Sequence, residues 1–172
     1  MYRFWVMSLI ITIGVVVETT VHHHLAFFGV LPNLMLILTV SYGILRGDEE
    51  GAAYGLGGGL LRDIAFGQAI GLFAALGMLS GYFAGKSLLN FYRESFLLPM
   101  LITGTISLAY GFVLYLFNII TIAPVGPIYY TLGVIVPETI YTMLVSIPIY
   151  RILFLLNQNI ENHERKHRKL FK

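Results

Sequence analysis

The chain has no cysteine. That excludes a disulfide framework, an iron–sulfur site and a thiol nucleophile, and it leaves the redox compartment unspecified. Charge is also scarce, because Asp, Glu, Lys and Arg make up 12% of the 172 residues while 57% are hydrophobic and the mean hydropathy is +0.78. A soluble domain carries about twice that charge. No polar stretch between the apolar runs is long enough to bury a core of its own, so one compact membrane domain is expected and a separate soluble catalytic domain is not. The sequence contains no HExxH, no GxSxG, no GxxxxGK phosphate loop and no acidic cluster suited to a divalent metal. Gly57, Gly58 and Gly59 are not followed by lysine, so they read as a packing element and not as a nucleotide cradle. A net charge of +2 gives no reason to expect nucleic acid as a partner. The expectation is a non-enzymatic protein without a cofactor.

What the chain does have is glycine, concentrated in one stretch. Residues 51–85 hold 10 of the 18 glycines, together with the adjacent pair Arg62 and Asp63. Gly51, Gly55 and Gly59 recur every four residues, as do Gly77, Gly81 and Gly85, so each set lines one side of a helix as a narrow groove. In water each such glycine weakens a helix by roughly 1 kcal/mol relative to alanine. In lipid an unpaired backbone is penalised heavily, and small-xxx-small rows promote contact between helices. The pattern predicts two membrane helices touching backbone to backbone.

Hydropathy predicts six spans in an all-α integral membrane domain over residues 1–158, followed by a basic cytoplasmic tail over 159–172. Helix one is expected over about 4–21 as an uncleaved span, since no small-x-small cleavage site follows it. Helix two opens after Pro32-Asn33 and runs to about Leu45, ended by a water-facing loop, Arg46 to Glu50. Helices three, four and five are expected over about 51–66, 68–89 and 96–117. The last apolar segment is too long for one straight span; Pro137-Glu138 suits a restart, with residues 121–136 at the outer interface. Six spans put both termini on one side. Arg3, Arg46, Lys86, Arg93, Arg151 and the five basic residues of the tail fall on that side, leaving Arg62 alone opposite. The positive-inside rule makes that side the cytoplasm, with the chain multi-pass in a cell membrane.

Four charged residues stand out as candidates. Arg62 and Asp63 follow the glycine-rich helix near the outer face, where a lone cation needs a partner. Asp63 either caps helix four or bonds a neighbour, and the pair is a candidate contact for a partner protein. Glu18, near the outer end of helix one, and Glu138, in the last segment, belong to the same half of the membrane and can form a polar network with Arg62. The competing reading is that each carboxylate is simply solvated at the lipid–water boundary. His22, His23 and His24 are consecutive and point in different directions, which disfavours a shared metal; an interfacial loop accounts for them. The tail, with Arg165, Lys166, Arg168, Lys169 and Lys172, is expected to set topology and to attract anionic lipid.

These pieces resemble a known family, the bacterial rod shape-determining protein MreD. The resemblance rests on Leu31-Pro32-Asn33-Leu34 opening helix two, on Gly59-Leu60-Leu61-Arg62-Asp63 closing helix three, and on Gly71 to Ala75 and Gly81-Tyr82-Phe83-Ala84-Gly85 in helix four. Pro137 to Thr142 is similar to the family's Pro-x-x-Leu-Tyr-Asn stretch, with Thr142 in place of the usual Asn. The resemblance implies a membrane subunit of the cell-elongation machinery that binds MreC, works beside MreB, RodA and a penicillin-binding transpeptidase, and supports peptidoglycan synthesis. It implies a fold similar to the substrate-binding subunits of energy-coupling-factor transporters, and a vitamin-binding subunit of that kind is the alternative. Those subunits present an Ala-x-x-x-Ala face on helix one, whereas helix one here is rich in Val and Ile. A lipid-directed enzyme or flippase would need Glu18, Glu138 and Arg62 to line a cavity.

Overall fold

The computed structural model describes residues 2–20, 30–66, 71–87, 97–121 and 126–170. The described residues form α1 (Tyr2–Thr20), α2 (Leu34–Arg46), α3 (Asp48–Phe66), α4 (Leu72–Ser87), α5 (Leu97–Thr121), α6 (Pro127–Tyr130) and α7 (Val136–Leu170). A π-helical turn, Thr131–Ile135, joins α6 to α7. All described regular structure is helical.

The short helix α2 is the centre of the packing. Its 13 residues include 11 that are buried, and α1, α3, α4, α5 and α7 all pack against it. Its neighbours enclose it so completely that Ile37 and Val40 lie fully inside. Asn33 starts it, accepting the Leu36 N–H on its side-chain oxygen at 3.1 Å. Around this centre the other helices turn apolar faces outward: Leu9, Ile13, Phe83, Leu101, Phe112, Leu144 and Ile152 are among the exposed residues. Two stretches, Leu97–Ile120 and Pro127–Asn159, are long and apolar enough to cross a bilayer, and only 28% of the apolar 18-residue heart of each is buried. The core helix of a soluble protein would be mostly buried, so these surfaces fit lipid.

Several boundaries differ from the sequence expectation, for local reasons. The acids Asp48, Glu49 and Glu50 lie in the first turn of α3 and not in a loop. Negative charge there complements the helix dipole, and Gly47 at φ 105° makes the turn alone. The α4 helix starts later than predicted, at Leu72, because Gly71 takes φ 99° just before it. No restart occurs at Pro137. The helix passes from Pro127 through the π turn into α7, with the Val136 N–H reaching back to the Thr131 carbonyl. The widened turn makes room for a proline ring that would otherwise press on the preceding turn. The α7 helix runs on past residue 158 to Leu170. His22, His23 and His24 lie outside the described residues.

The glycines of α3 and α4 interlock. A Cβ built on Gly55 or Gly77 would collide with the backbone of the other, and the same holds for Gly51 and Gly81. A Cβ on Gly51 would also come within 2.6 Å of the Gly43 Cα on α2, so three backbones converge there. At the two ends of the seam, Gly59 meets the backbone of Phe73 and Ala74, and Gly85 meets Gly47 and Asp48. Backbone cannot rotate away as a side chain can. Gly55→Val or Gly81→Val should therefore destabilise at or beyond the upper end of the usual overpacking cost of about 1–3 kcal/mol. Gly57→Ala, whose Cβ would sit 3.8 Å from Ile11 Cδ1, should be tolerated. Thermal unfolding of the three variants in detergent checks this, and equal melting temperatures would refute the seam.

Candidate functional site

The site is assembled around Arg62, near the C-terminal end of α3. One guanidinium nitrogen lies 3.3 Å from Glu18 Oε1 of α1. The other donates to Asn33 Oδ1 at 3.0 Å and to the Tyr110 hydroxyl of α5 at 3.5 Å. The guanidinium carbon stands 4.6 Å from the centre of the Phe73 ring of α4. The side chains of Arg62 and Glu18 are 19% and 11% exposed, so the pair is largely desolvated. Arginine suits this position because its planar fork keeps its charge and directs several donors at once.

A second shell carries the bonding further. Asn33 is 4% exposed and accepts from both Arg62 and its own helix, while its backbone N–H donates to Thr142 Oγ1 of α7 at 3.1 Å. The Thr142 hydroxyl thus ties the turn before α2 to α7. Three residues earlier, Thr139 Oγ1 lies 3.4 Å from Ser107 Oγ of α5. Glu138 is half-buried one helical turn before Thr142, close enough for the charges of Arg62 and Glu18 to act on it. The structure therefore pairs Arg62 with Glu18 and sets Glu138 within electrostatic reach of the two.

Asp63 does something separate. It is 2% exposed and accepts three backbone N–H groups at the start of α4: Gly71 at 3.0 Å, Phe73 at 3.1 Å and Ala74 at 3.1 Å. A carboxylate from one helix thus caps the next, satisfying donors that a helix start leaves open and complementing its dipole. Adjacent residues point about 100° apart on a helix, which is why Arg62 and Asp63 serve different neighbours.

Sequence reasoning found Arg62, Asp63, Glu18 and Glu138 because charge inside apolar sequence is conspicuous. It did not single out Tyr110, Ser107 or Thr139, whose polar atoms are small and sit among apolar neighbours. The space beside Arg62, lined also by Thr39, Phe73 and Tyr110, amounts to about 10 Å³. That admits one water at most. Among the described residues no group of three His, Cys, Asp or Glu residues converges as a metal site.

The fold and site define an integral, all-helical membrane protein whose buried polar groups tie its own helices together. The family model for the rod shape-determining protein MreD matches residues 1–160, and the chain belongs to that family. The family is one of shape-determining structural proteins, so the chain is a rod shape-determining membrane protein. A comparison with curated proteins and one with solved structures found no match.

Two outcomes follow from the geometry. Arg62→Met should cost about 3–5 kcal/mol, because it removes the cation paired with the buried Glu18 carboxylate. Adding Glu18→Gln should recover part of that loss; additive effects in the double-mutant cycle, read by thermal unfolding in detergent, would refute the coupling. Asp63→Ala should cost about 1–2 kcal/mol as a lost cap, with the loss appearing as faster amide exchange in the first turn of α4.

Proposed function

We propose that the chain is a non-enzymatic subunit of the bacterial cell-elongation complex, binding MreC and supporting peptidoglycan synthesis and cell shape beside RodA, a penicillin-binding transpeptidase and MreB. The family match over residues 1–160 carries this reading. We further propose six membrane crossings in the inner membrane with both termini cytoplasmic, in a fold similar to the substrate-binding subunits of energy-coupling-factor transporters. The supports are the one-sided distribution of Lys and Arg and the two long apolar helical stretches. In this orientation Arg62, Glu18 and Glu138 lie toward the outer face.

The small space at Arg62 favours a structural role for that cluster over a ligand-binding one. A site of about 10 Å³ cannot enclose a vitamin, and binding pockets for small molecules run to about 300 Å³ or more. The network instead fixes how α1, α3, α5 and α7 are disposed, and hence the shape presented to a neighbouring membrane protein.

Copurification is the direct test. A tagged copy of the chain expressed in its own host should capture MreC, and Arg62→Met should reduce that capture severalfold while Gly57→Ala does not. A folded protein that captures a transporter coupling subunit and no MreC would overturn the proposal. Because the chain has no cysteine, single-cysteine variants at the two ends of each helix will report sidedness directly by labelling with a membrane-impermeant reagent.

A further inference from the structure

Between α4 and α5 runs a groove of about 530 Å³ that the Arg62 network does not use. Leu76, Leu79, Phe83, Leu101, Ile106 and Val113 give it an apolar lining, and Ser80, Ser87, Thr105 and Tyr110 add small polar groups. On α4 it extends from Leu76 to Ser87, about 16 Å at the helical rise. That equals roughly one leaflet, half of the ~30 Å hydrocarbon core. A narrow apolar slot one leaflet long, edged by small hydroxyl groups, matches one acyl chain lying along the helices.

The Ser87 end of the groove is the charged end. Lys86 is exposed beside it, with Nζ 5.5 Å from the centre of the Tyr82 ring, and Tyr82 in turn packs edge-on against Phe83 of the groove wall at 5.6 Å. A cation held over an aromatic ring, at the mouth of an apolar slot one leaflet deep, complements a phosphate headgroup whose chain enters the slot. At the far end the chain would end against Tyr110, whose hydroxyl accepts from Arg62.

We propose that the α4–α5 groove is a binding site for an anionic phospholipid, with one acyl chain between the helices and its phosphate at Lys86. This rests on the orientation proposed above, which sets the Lys86 end at the cytoplasmic leaflet. The occupied groove completes the packing between α4 and α5, so the lipid acts as part of the fold.

The test is native mass spectrometry of the full-length protein in mild detergent, titrated with phosphatidylglycerol and with phosphatidylethanolamine. The wild type should retain one phosphatidylglycerol, at least fivefold more than phosphatidylethanolamine. Ala109→Trp, which fills the groove, should reduce retention at least fivefold, and Lys86→Ser should remove the headgroup preference while keeping the chain. Should Ala109→Trp fail to fold, Thr105→Trp tests the same slot. Equal retention in a folded tryptophan variant, or no preference between headgroups in the wild type, overturns the proposal. So does crosslinking of a Thr105→Cys variant to a protein segment in place of lipid. These readouts need no MreC, and labelling of Ser87→Cys from outside intact cells would reject the orientation without touching the lipid result.

Discussion

A guanidinium shut away from water must be matched by its surroundings, and that requirement organises this molecule. Arg62 draws a carboxylate from α1, an amide from the turn before α2, a phenol from α5 and an aromatic face from α4 toward one point. Through Asn33 and Thr142 the last long helix joins as well. In a bilayer, apolar contacts between helices compete with equally apolar lipid, so they discriminate poorly among arrangements. A desolvated charge does discriminate, because any arrangement that moves Glu18 away leaves an uncompensated ion.

Arg62 can be held there because the helix that carries it is clamped. Interlocked glycines let α3 and α4 approach backbone to backbone, and Asp63 closes the far end by capping α4 from the neighbouring helix. Both devices act on the same pair of helices from opposite principles. The glycines remove side chains so that backbones can meet, whereas Asp63 adds a side chain where backbone N–H groups would lack partners. Arg62, one residue before Asp63, inherits the rigidity of both.

Much of this was legible in the sequence, and the gaps have physical causes. The i, i+4 spacing of glycine announced the α3–α4 contact because that spacing is the geometry of a helix face. Charges in apolar surroundings announced the polar cluster because such charges are costly without a role. The central position of α2 was not legible: burial on all sides and exposure to lipid on all sides select the same residues, Leu, Ile and Val. Nor did the sequence announce that the last segment stays helical across Pro137, since a proline both starts helices and sits in widened turns, and the choice depends on the turn before it. Thr142 read as a departure from the family pattern, yet its hydroxyl oxygen accepts a backbone N–H much as an amide oxygen would.

The unbroken path from Pro127 into α7 has a mechanical corollary. The 33 residues of Pro127–Asn159 measure about 50 Å along the axis at the helical rise, while the hydrocarbon core is about 30 Å thick. Even at the steepest tilt common for membrane helices, about 40°, such a rod reaches beyond the hydrocarbon core into the headgroup layers. The exposed side chains of Ile128, Tyr129 and Leu132 lie toward its N-terminal tip. The π turn at Thr131–Ile135 sits between that tip and the Thr139 and Thr142 positions that anchor α7 to its neighbours. A push on the tip therefore reaches the Arg62 cluster through a single turn of helix whose hydrogen-bond register is already shifted by one residue.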